Sequence, residues 1–214
     1  MSKVFFSVAM SLDGFIAPDG MDMEHADDPT YKDWLNQWLA LQSWAFQQRF
    51  FRENLLLGEG GETGDDNRIL EETFNRTGVS VMGKRMFEAG ERFWPAEAPF
   101  HTPVFVLTNQ TRAPGVRPGG TTFHFVNDGI HSALQQAREA SGDRDIRIAG
   151  GANAIVQYLN AGLVDEFSIA ISPVYFRQGT RLFDGIDHRK VRLETLDATR
   201  SALVTHVNYA VNRR

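Results

Sequence analysis

The chain has 214 residues, of which 42% are apolar and 23% charged, with a formal net charge of −5 at pH 7. It contains no cysteine, which excludes disulfides, thiolate metal sites and cysteine nucleophiles. The acidic balance argues against nucleic-acid binding, which usually needs a basic face. No apolar run has the length of a membrane span or the form of a signal peptide, so we expect a cytoplasmic protein without membrane partners.

Short runs of β-branched and aromatic residues, bounded by Gly, Pro, Asn or Asp, predict strands along most of the chain. They are Val4–Met10, Val79–Met82, Val104–Leu107, Thr122–Phe125, Ile146–Ala149, Asp165–Ser172 and Ala202–Val211. Helical periodicity predicts helices over Ile69–Arg76, Asp128–Ser141 and Asn153–Ala161. Strands that alternate with helices indicate an α/β fold with a largely parallel sheet, and the alternating last run indicates an antiparallel strand.

The segment Thr30–Asn54 is rich in tryptophan. Trp34, Trp38, Leu41 and Ala45 fall on one stripe at helical spacing, which predicts an amphipathic helix. Such a stripe usually packs into a core or a dimer interface. The alternative is an aromatic wall over a flat substrate ring, with Trp34 and Trp38 in contact with the substrate.

Two acidic segments could be mistaken for ligand sites. Between Gly58 and Gly64 the third glycine of a dinucleotide fingerprint is replaced by Thr63, so we expect a flexible acidic loop extending to Asn67. The stretch from Asp22 to Asp28 lacks the glycine and the terminal glutamate of a calcium loop. We therefore expect no metal site. The sequence also lacks the G-x-S-x-G and H-E-x-x-H signatures of hydrolases.

Three predicted strand ends carry groups that suit a phosphate. Gly83 is followed by Lys84 and Arg85 at an apparent helix start, where unpaired N–H groups favour an anion. Thr108 and Asn109 follow the run Val104–Leu107 with a hydroxyl and an amide. In an open α/β sheet the carboxyl ends of the strands bind ligands, so these groups predict a phosphate site.

A double glycine, Gly150–Gly151, forms the third such strand end and precedes a predicted helix. Two missing Cβ atoms allow the backbone to approach a pyrophosphate closely. In order and spacing, these segments resemble the dihydrofolate reductase-like superfamily, especially the branch of the C-terminal reductase domain of riboflavin biosynthesis. The motifs that carry the likeness are Ser11–Ala17, Val81–Arg85, Gly150–Gly151, Leu163–Phe167, Pro173–Val174 and Leu182–Phe183.

This resemblance implies a single-domain, three-layer α/β fold over residues 1–214, with a mostly parallel sheet and an antiparallel C-terminal strand pair. Roughly residues 22–68 have no counterpart in the motifs and are interpreted as an insertion. The resemblance also implies a homodimer.

The activity that the resemblance implies is an NADPH-dependent reductase. It would transfer a hydride to a C=N or C=O group of a small heterocyclic substrate, similar to 5-amino-6-(5-phosphoribosylamino)uracil reductase. Two cations at one site favour NADPH over NADH. The implied cofactor contacts are Ala9, Ile16, Gly83, Lys84, Arg85, Met86, Leu107, Thr108, Asn109, Gly150, Gly151, Ala152 and Asn153.

The resemblance defines the residues that contact the substrate less well than those that contact the cofactor. Ala149 stands where riboflavin-pathway reductases usually carry Glu, and folate reductases use a buried carboxylate that makes Asp66 a candidate proton donor here. Asp13 is a second candidate, although Asp-Gly also favours a tight turn. Two alternatives stay open: pteridine reduction of the dihydrofolate reductase type, and a non-catalytic module that binds a nucleotide or another small molecule.

Overall fold

A mixed sheet with helices on both faces dominates the part of the chain that this computed structural model describes, residues 2–19 and 29–213. The strands are β1 (Val4–Ser11), β2 (Phe15–Pro18), β3 (Thr77–Gly83), β4 (Pro103–Leu107), β5 (Gly115–Val116), β6 (Thr122–Val126), β7 (Asp145–Gly150), β8 (Glu166–Ser172), β9 (Gly179–Arg181), β10 (Val191–Arg200) and β11 (Thr205–Arg213). The helices are α1 (Pro29–Phe46), α2 (Arg49–Asn54), α3 (Asp65–Arg76), α4 (Lys84–Glu91), α5 (Ile130–Ala140) and α6 (Ala152–Asn160).

Nine of these strands form one sheet in the order β10-β11-β8-β1-β7-β3-β4-β6-β5. The strands from β8 to β6 in this order are parallel, whereas β11 runs antiparallel to both β8 and β10. The remaining pair, β2 and β9, forms a small antiparallel sheet. The predicted α/β fold, with a mostly parallel sheet and an antiparallel C-terminal pair, is confirmed.

The central strands are covered on both faces, which explains their continuous apolar sequences. On one face, Val79 and Val81 of β3 pack with Ala133 of α5 and Ile155 of α6. On the opposite face lie α1, α3 and α4, which contact β1, β3, β4 and β8. The site described below lies on this second face and at the carboxyl edge of the parallel strands.

Two local predictions were wrong. The acidic loop ends at Gly64, because Asp65 and Asp66 already form the first turn of α3, where carboxylates interact favourably with the helix dipole. The strand β10 was missed altogether. It is an edge strand whose residues are almost all exposed, with Leu193 and Leu196 among them, so it lacks the apolar alternation by which strands are recognised.

The range 22–68, predicted as an insertion, contains α1 and α2. Its acidic stretch, from Asp22 to Asp28, lies outside the described residues. Elsewhere in the chain the described residues hold no group of three or more His, Asp or Glu side chains arranged for a metal ion. None of the described helices is long and apolar enough to cross a membrane.

Candidate active site

Two helix N-termini meet at the carboxyl edge of the sheet. The strands β3 and β7 are parallel neighbours in which Met82 pairs with Gly150. The helix α4 starts directly after β3 with Gly83 as its N-cap, and α6 starts after β7 with Gly151 as its N-cap. Each first turn leaves backbone N–H groups without partners inside the helix and carries a partial positive charge. Their meeting point therefore favours an anion.

The glycines at this junction leave open space beside the backbone. The Gly150–Gly151 peptide bond is cis. A Cβ added to Gly151 would meet no other atom within 4 Å, and one added to Gly83 would come no nearer than 3.8 Å, to the backbone nitrogen of Gly151. Gly150 has a φ of +132°, and its Cβ would lie 2.9 Å from the Met86 sulfur. The open cradle fits the close approach of a pyrophosphate.

Cationic and polar side chains border the cradle. Lys84 forms an ion pair with Glu88 one turn later, at 3.4 Å, and Arg85 is exposed beside it. Gly83 pairs with Leu107 of β4, so Thr108 and Asn109 follow at the neighbouring strand end. The Thr108 hydroxyl accepts a hydrogen bond from the backbone N–H of Gln110 at 3.1 Å, while Asn109 is exposed. A phosphate on this edge would find hydrogen-bond donors on two adjacent junctions.

The other residues implied as cofactor contacts are distributed around the same edge. Ala152 and Asn153 form the first turn of α6, where the Asn153 side chain accepts a hydrogen bond from Gln157 at 2.6 Å. Ala9 is buried on β1, and Ile16 on β2 is half-buried. These positions are compatible with the implied contacts, which stay predictions.

A buried acid–imidazole pair lies on the second face of the sheet. Asp66 of α3 is 5% exposed and His206 of β11 is 1% exposed. His206 Nε2 and Asp66 Oδ1 are 2.6 Å apart, although the residues are 140 positions apart in sequence. The second oxygen of Asp66, Oδ2, has no hydrogen bond to a described residue. A buried carboxyl group with one oxygen held and one available can bind or protonate a ligand.

This pair adjoins a floor of small side chains. In register across three strands, His206 of β11 pairs with Ala170 of β8, and Ala170 pairs with Ala9 of β1. Neighbours in register point to the same face of a sheet, so the two alanines form a shallow surface beside the imidazole. Leu41 and Trp44 of α1 cover this surface. The floor therefore connects the Asp66–His206 pair with the strand β1.

Trp44 is the tryptophan of α1 that reaches this pair. Its ring meets the His206 ring edge-on, with the ring centroids 5.1 Å apart. Its indole Nε1 is buried and lacks a hydrogen-bond partner, which is rare because an unmade hydrogen bond in the interior is costly. The indole N–H is thus a donor without an acceptor beside the candidate acid.

The two tryptophans predicted to contact the substrate, Trp34 and Trp38, lie elsewhere on α1. Trp34 is buried, and its Nε1 donates a hydrogen bond to the Pro18 carbonyl at 3.2 Å. Its ring stacks between Tyr31, at 5.6 Å, and Trp38, at 6.2 Å. This stack joins α1 to β2, and no described contact connects it to Asp66.

Asp13, the second predicted proton donor, is part of a turn. It accepts hydrogen bonds from the Ser11 hydroxyl at 2.6 Å and from the backbone N–H groups of Phe176 and Arg177. Desolvation acts to raise the pKa of Asp13, but these hydrogen bonds outweigh it and lower the pKa below its ordinary value. A carboxylate held ionised in this way suits a turn and does not suit proton donation.

Sequence reasoning missed His206 and Trp44. His206 falls on the face of β11 opposite to Thr205, Val207 and Tyr209, the residues whose alternation predicted the strand. The apolar Val204, which directly precedes the strand and is also buried, was the one signal in the sequence that this side of the segment faces the interior. The partner of a buried histidine cannot be found from a single sequence, because the pairing depends on which helix covers the strand.

The sequence matches a known family model and, over a shorter segment, a bacterial protein. The family model of the RibD C-terminal domain matches residues 2–207. The uncharacterized protein YyaP of Bacillus subtilis is 38% identical over 65 residues, which cover 30% of this chain and 34% of YyaP.

Solved structures share the fold at low sequence identity. A candidate riboflavin biosynthesis protein from Shewanella sp. PV-4 superposes over 100% of both chains, with a TM-score of 0.66 and 20% identity. The diaminohydroxyphosphoribosylaminopyrimidine deaminase/5-amino-6-(5-phosphoribosylamino)uracil reductase of Thermotoga maritima has a TM-score of 0.59 and 14% identity, over 99% of this chain and 57% of that one. Enterococcus faecalis dihydrofolate reductase, solved with NADP(H), has a TM-score of 0.52 and 13% identity, over 98% and 96%.

Proposed function

Because the chain belongs to the RibD C-terminal domain family, we propose that it is an NADPH-dependent reductase of a small heterocyclic substrate. The reduced group is a C=N or C=O bond, as in 5-amino-6-(5-phosphoribosylamino)uracil reduction. NADPH, when bound, supplies the hydride. The protein binds and orients the two reactants, excludes water and delivers a proton.

The observation that carries this proposal is the open glycine cradle between two helix N-termini. Gly83 and Gly151 leave room for a pyrophosphate, and the first turns of α4 and α6 follow two neighbouring strands, β3 and β7. Lys84 and Arg85 add two positive charges, which favour the additional phosphate of NADPH over NADH. The cradle thus fits the cofactor that the family resemblance implies.

Asp66 is the proton donor in this proposal, with His206 as its partner. His206 holds Oδ1 at 2.6 Å, so the carboxyl group has a fixed orientation and Oδ2 is available to the ligand. A donor that is buried among apolar side chains and already oriented transfers its proton without competition from solvent. Trp44 packs against the His206 ring and provides an indole N–H for a polar atom of the substrate.

The substrate differs from that of the riboflavin-pathway reductases in one contact. Ala149, which stands where those enzymes usually carry Glu, is buried and packs with Met82 and Phe87. It offers no polar group to a substrate. We therefore propose a heterocycle that is recognised from α1 and α3, through Trp44 and Asp66.

Pteridine reduction of the dihydrofolate reductase type is the second candidate. It is favoured by the buried carboxyl group of Asp66 on α3, since folate reductases bind and help protonate the pteridine ring with such a group. A non-catalytic binding module would keep the glycine cradle for a nucleotide. It would have no use for the buried pair of Asp66 and His206 beside the floor of alanines.

A titration of the purified protein with NADPH, followed by energy transfer from tryptophan to the bound nicotinamide, tests the proposal. We expect saturable binding, with NADH weaker. Arg85→Ala should weaken NADPH at least about tenfold, since a charge-assisted hydrogen bond contributes about 1.5–3 kcal/mol, and should leave NADH nearly unchanged. If neither cofactor binds at millimolar concentration, the reductase proposal is refuted. The homodimer also stays a proposal, and sedimentation velocity tests it.

A further inference from the structure

The strand β10 forms one edge of the nine-stranded sheet, and its outer side is open. Among the described residues it pairs with β11 alone, so one row of its backbone N–H and C=O groups has no strand opposite. Proteins usually keep an open edge very short, as with the two residues of β5 at the opposite edge. The strand β10 has ten residues and is exposed over most of its length, so it can accept a further strand.

Apolar side chains are exposed on one face of this edge. Val191 and Leu193 of β10 line a groove of about 210 Å³ together with the buried Leu159 and Phe167 and the exposed Phe183. Leu193 is 44% exposed and Phe183 is 38% exposed. Exposed apolar side chains that lie together mark interaction sites, because a second apolar surface that covers them is stabilised by the removal of both from water.

The charges on the other face of β10 are arranged symmetrically about Leu193. Successive side chains of a strand point to opposite faces, so Arg192 and Glu194 share the face that Leu193 does not occupy. In agreement with this, Asn212 lies opposite Arg192 on β11 and donates a hydrogen bond to Glu194 at 3.1 Å. A cation and an anion on either side of one residue make the strand complementary to an antiparallel copy of itself.

We propose that β10 pairs with β10 of a second copy of this chain, antiparallel and with Leu193 on the two-fold axis. In this register Leu193 lies opposite the partner's Leu193, and Arg192 lies opposite the partner's Glu194. Opposite charges in such positions stabilise an antiparallel pair, whereas like charges destabilise it. A register centred on Arg192 or on Glu194 would place two arginines or two glutamates opposite each other. The paired segment ends at the β-bulge between Thr195 and Asp197.

This pairing joins two nine-stranded sheets into one and brings the two apolar grooves together. Val191 and Leu193 of one copy lie beside the same residues of the other, on the face that carries the groove. Every contact occurs twice, as in any isologous dimer, so a weak pair of residues counts double. The interface gives a place to the homodimer proposed above and depends on no property of the reductase site.

Single cysteines test the register, because the chain has no cysteine of its own. Leu193→Cys brings the two substituted residues directly opposite each other, with Cα atoms about 4.5–5.5 Å apart, which is within the range of a disulfide. Leu196→Cys is the matched control. Leu196 is similarly exposed, at 53%, but it lies three positions from the axis and therefore about 20 Å from the partner's Leu196. After oxidation with copper phenanthroline, we expect a covalent dimer from Leu193→Cys on a non-reducing gel and none from Leu196→Cys.

Charge reversal tests the same register without a covalent bond. Arg192→Glu and Glu194→Arg each place like charges opposite each other at two symmetric positions, so each should weaken the dimer at least about tenfold in sedimentation velocity. The double variant Arg192→Glu/Glu194→Arg restores both pairs and should recover the Kd of the unchanged protein. Arg200→Glu, the same charge change on the same strand beyond the bulge, is the control and should leave the Kd unchanged.

The outcomes separate this interface from the other proposals. Equal linking of Leu193→Cys and Leu196→Cys, or a double charge variant that does not recover what the single variants lose, overturns the interface and leaves a homodimer through another surface. A protein that sediments as a monomer at every concentration overturns the homodimer as well. If Leu193→Cys does not fold, the charge variants decide. NADPH is absent from these assays, so a failure of the reductase proposal is detected separately.

Discussion

Replacing Gly151 with valine tests the cofactor site most directly. The residue is the N-cap of α6 with φ −75° and ψ −170°, a conformation that any residue adopts, and its Cβ would project into open space. Valine should therefore fold in place. It is a poorer N-cap than glycine, so we expect a loss of about 1 kcal/mol in the free energy of unfolding.

The effect on binding should be much larger than the effect on stability. The added side chain would occupy the space through which a pyrophosphate reaches the first turn of α6. Losing two charge-assisted hydrogen bonds, at about 1.5–3 kcal/mol each, weakens NADPH binding by at least about 100-fold. Isothermal titration calorimetry with NADPH measures the change, and thermal unfolding checks the fold.

Gly64→Val is the matched control. Gly64 is the N-cap of α3, with φ −75° and ψ −156°, and its Cβ would also meet nothing within 4 Å. The same substitution should cost similar stability there and leave the NADPH affinity unchanged. Gly64 also belongs to the acidic glycine loop that superficially resembles a phosphate site. Unchanged affinity in Gly151→Val, or a large loss in Gly64→Val, would refute the assignment of the pyrophosphate to the junction of α4 and α6.

Three further outcomes concern buried and half-buried charges. His206→Leu should destabilise the protein by about 1–3 kcal/mol, because the buried carboxyl group of Asp66 loses its hydrogen-bond partner. The double variant Asp66→Leu/His206→Leu should cost less than the sum of the single changes, and strictly additive costs in urea unfolding would contradict the pairing. Arg76→Met should cost about 2 kcal/mol, through the hydrogen bonds lost to Asp145 and Glu166. Burial acts to raise the pKa of Glu166, but hydrogen bonds from Lys3 and Arg76 outweigh it and lower the pKa. A depressed folded-state pKa stabilises above the unfolded value, about 4.3, so the unfolding midpoint should fall as the pH drops below that value, and fall less in Glu166→Gln.

The local patterns of the sequence were sufficient to predict most strands of the sheet and the positions of the glycines that form the cradle. Buried parallel strands such as β4 read as continuous apolar runs because both faces are covered. Gly83 and Gly151 could be placed at helix starts because a strand, a glycine and a helix are consecutive in the chain. A site formed by residues that are consecutive in the chain can therefore be predicted from a single sequence.

The residues proposed to contact the substrate could be recognised only in the tertiary structure. They are distant from one another in sequence, and a single Asp, His or Trp does not by itself indicate a function. His206 and Asp66 meet only in the folded chain, where the first turn of α3 reaches β11. Trp44 is one of three tryptophans on α1, and only the packing shows that its indole N–H is buried without an acceptor beside His206. The sequence by itself determined the fold class and the position of the strand–glycine–helix junctions at which we propose that phosphate binds. Burial, which depends on the whole packing, decided which polar side chains of the described residues are paired and which, such as the Trp44 indole, are not.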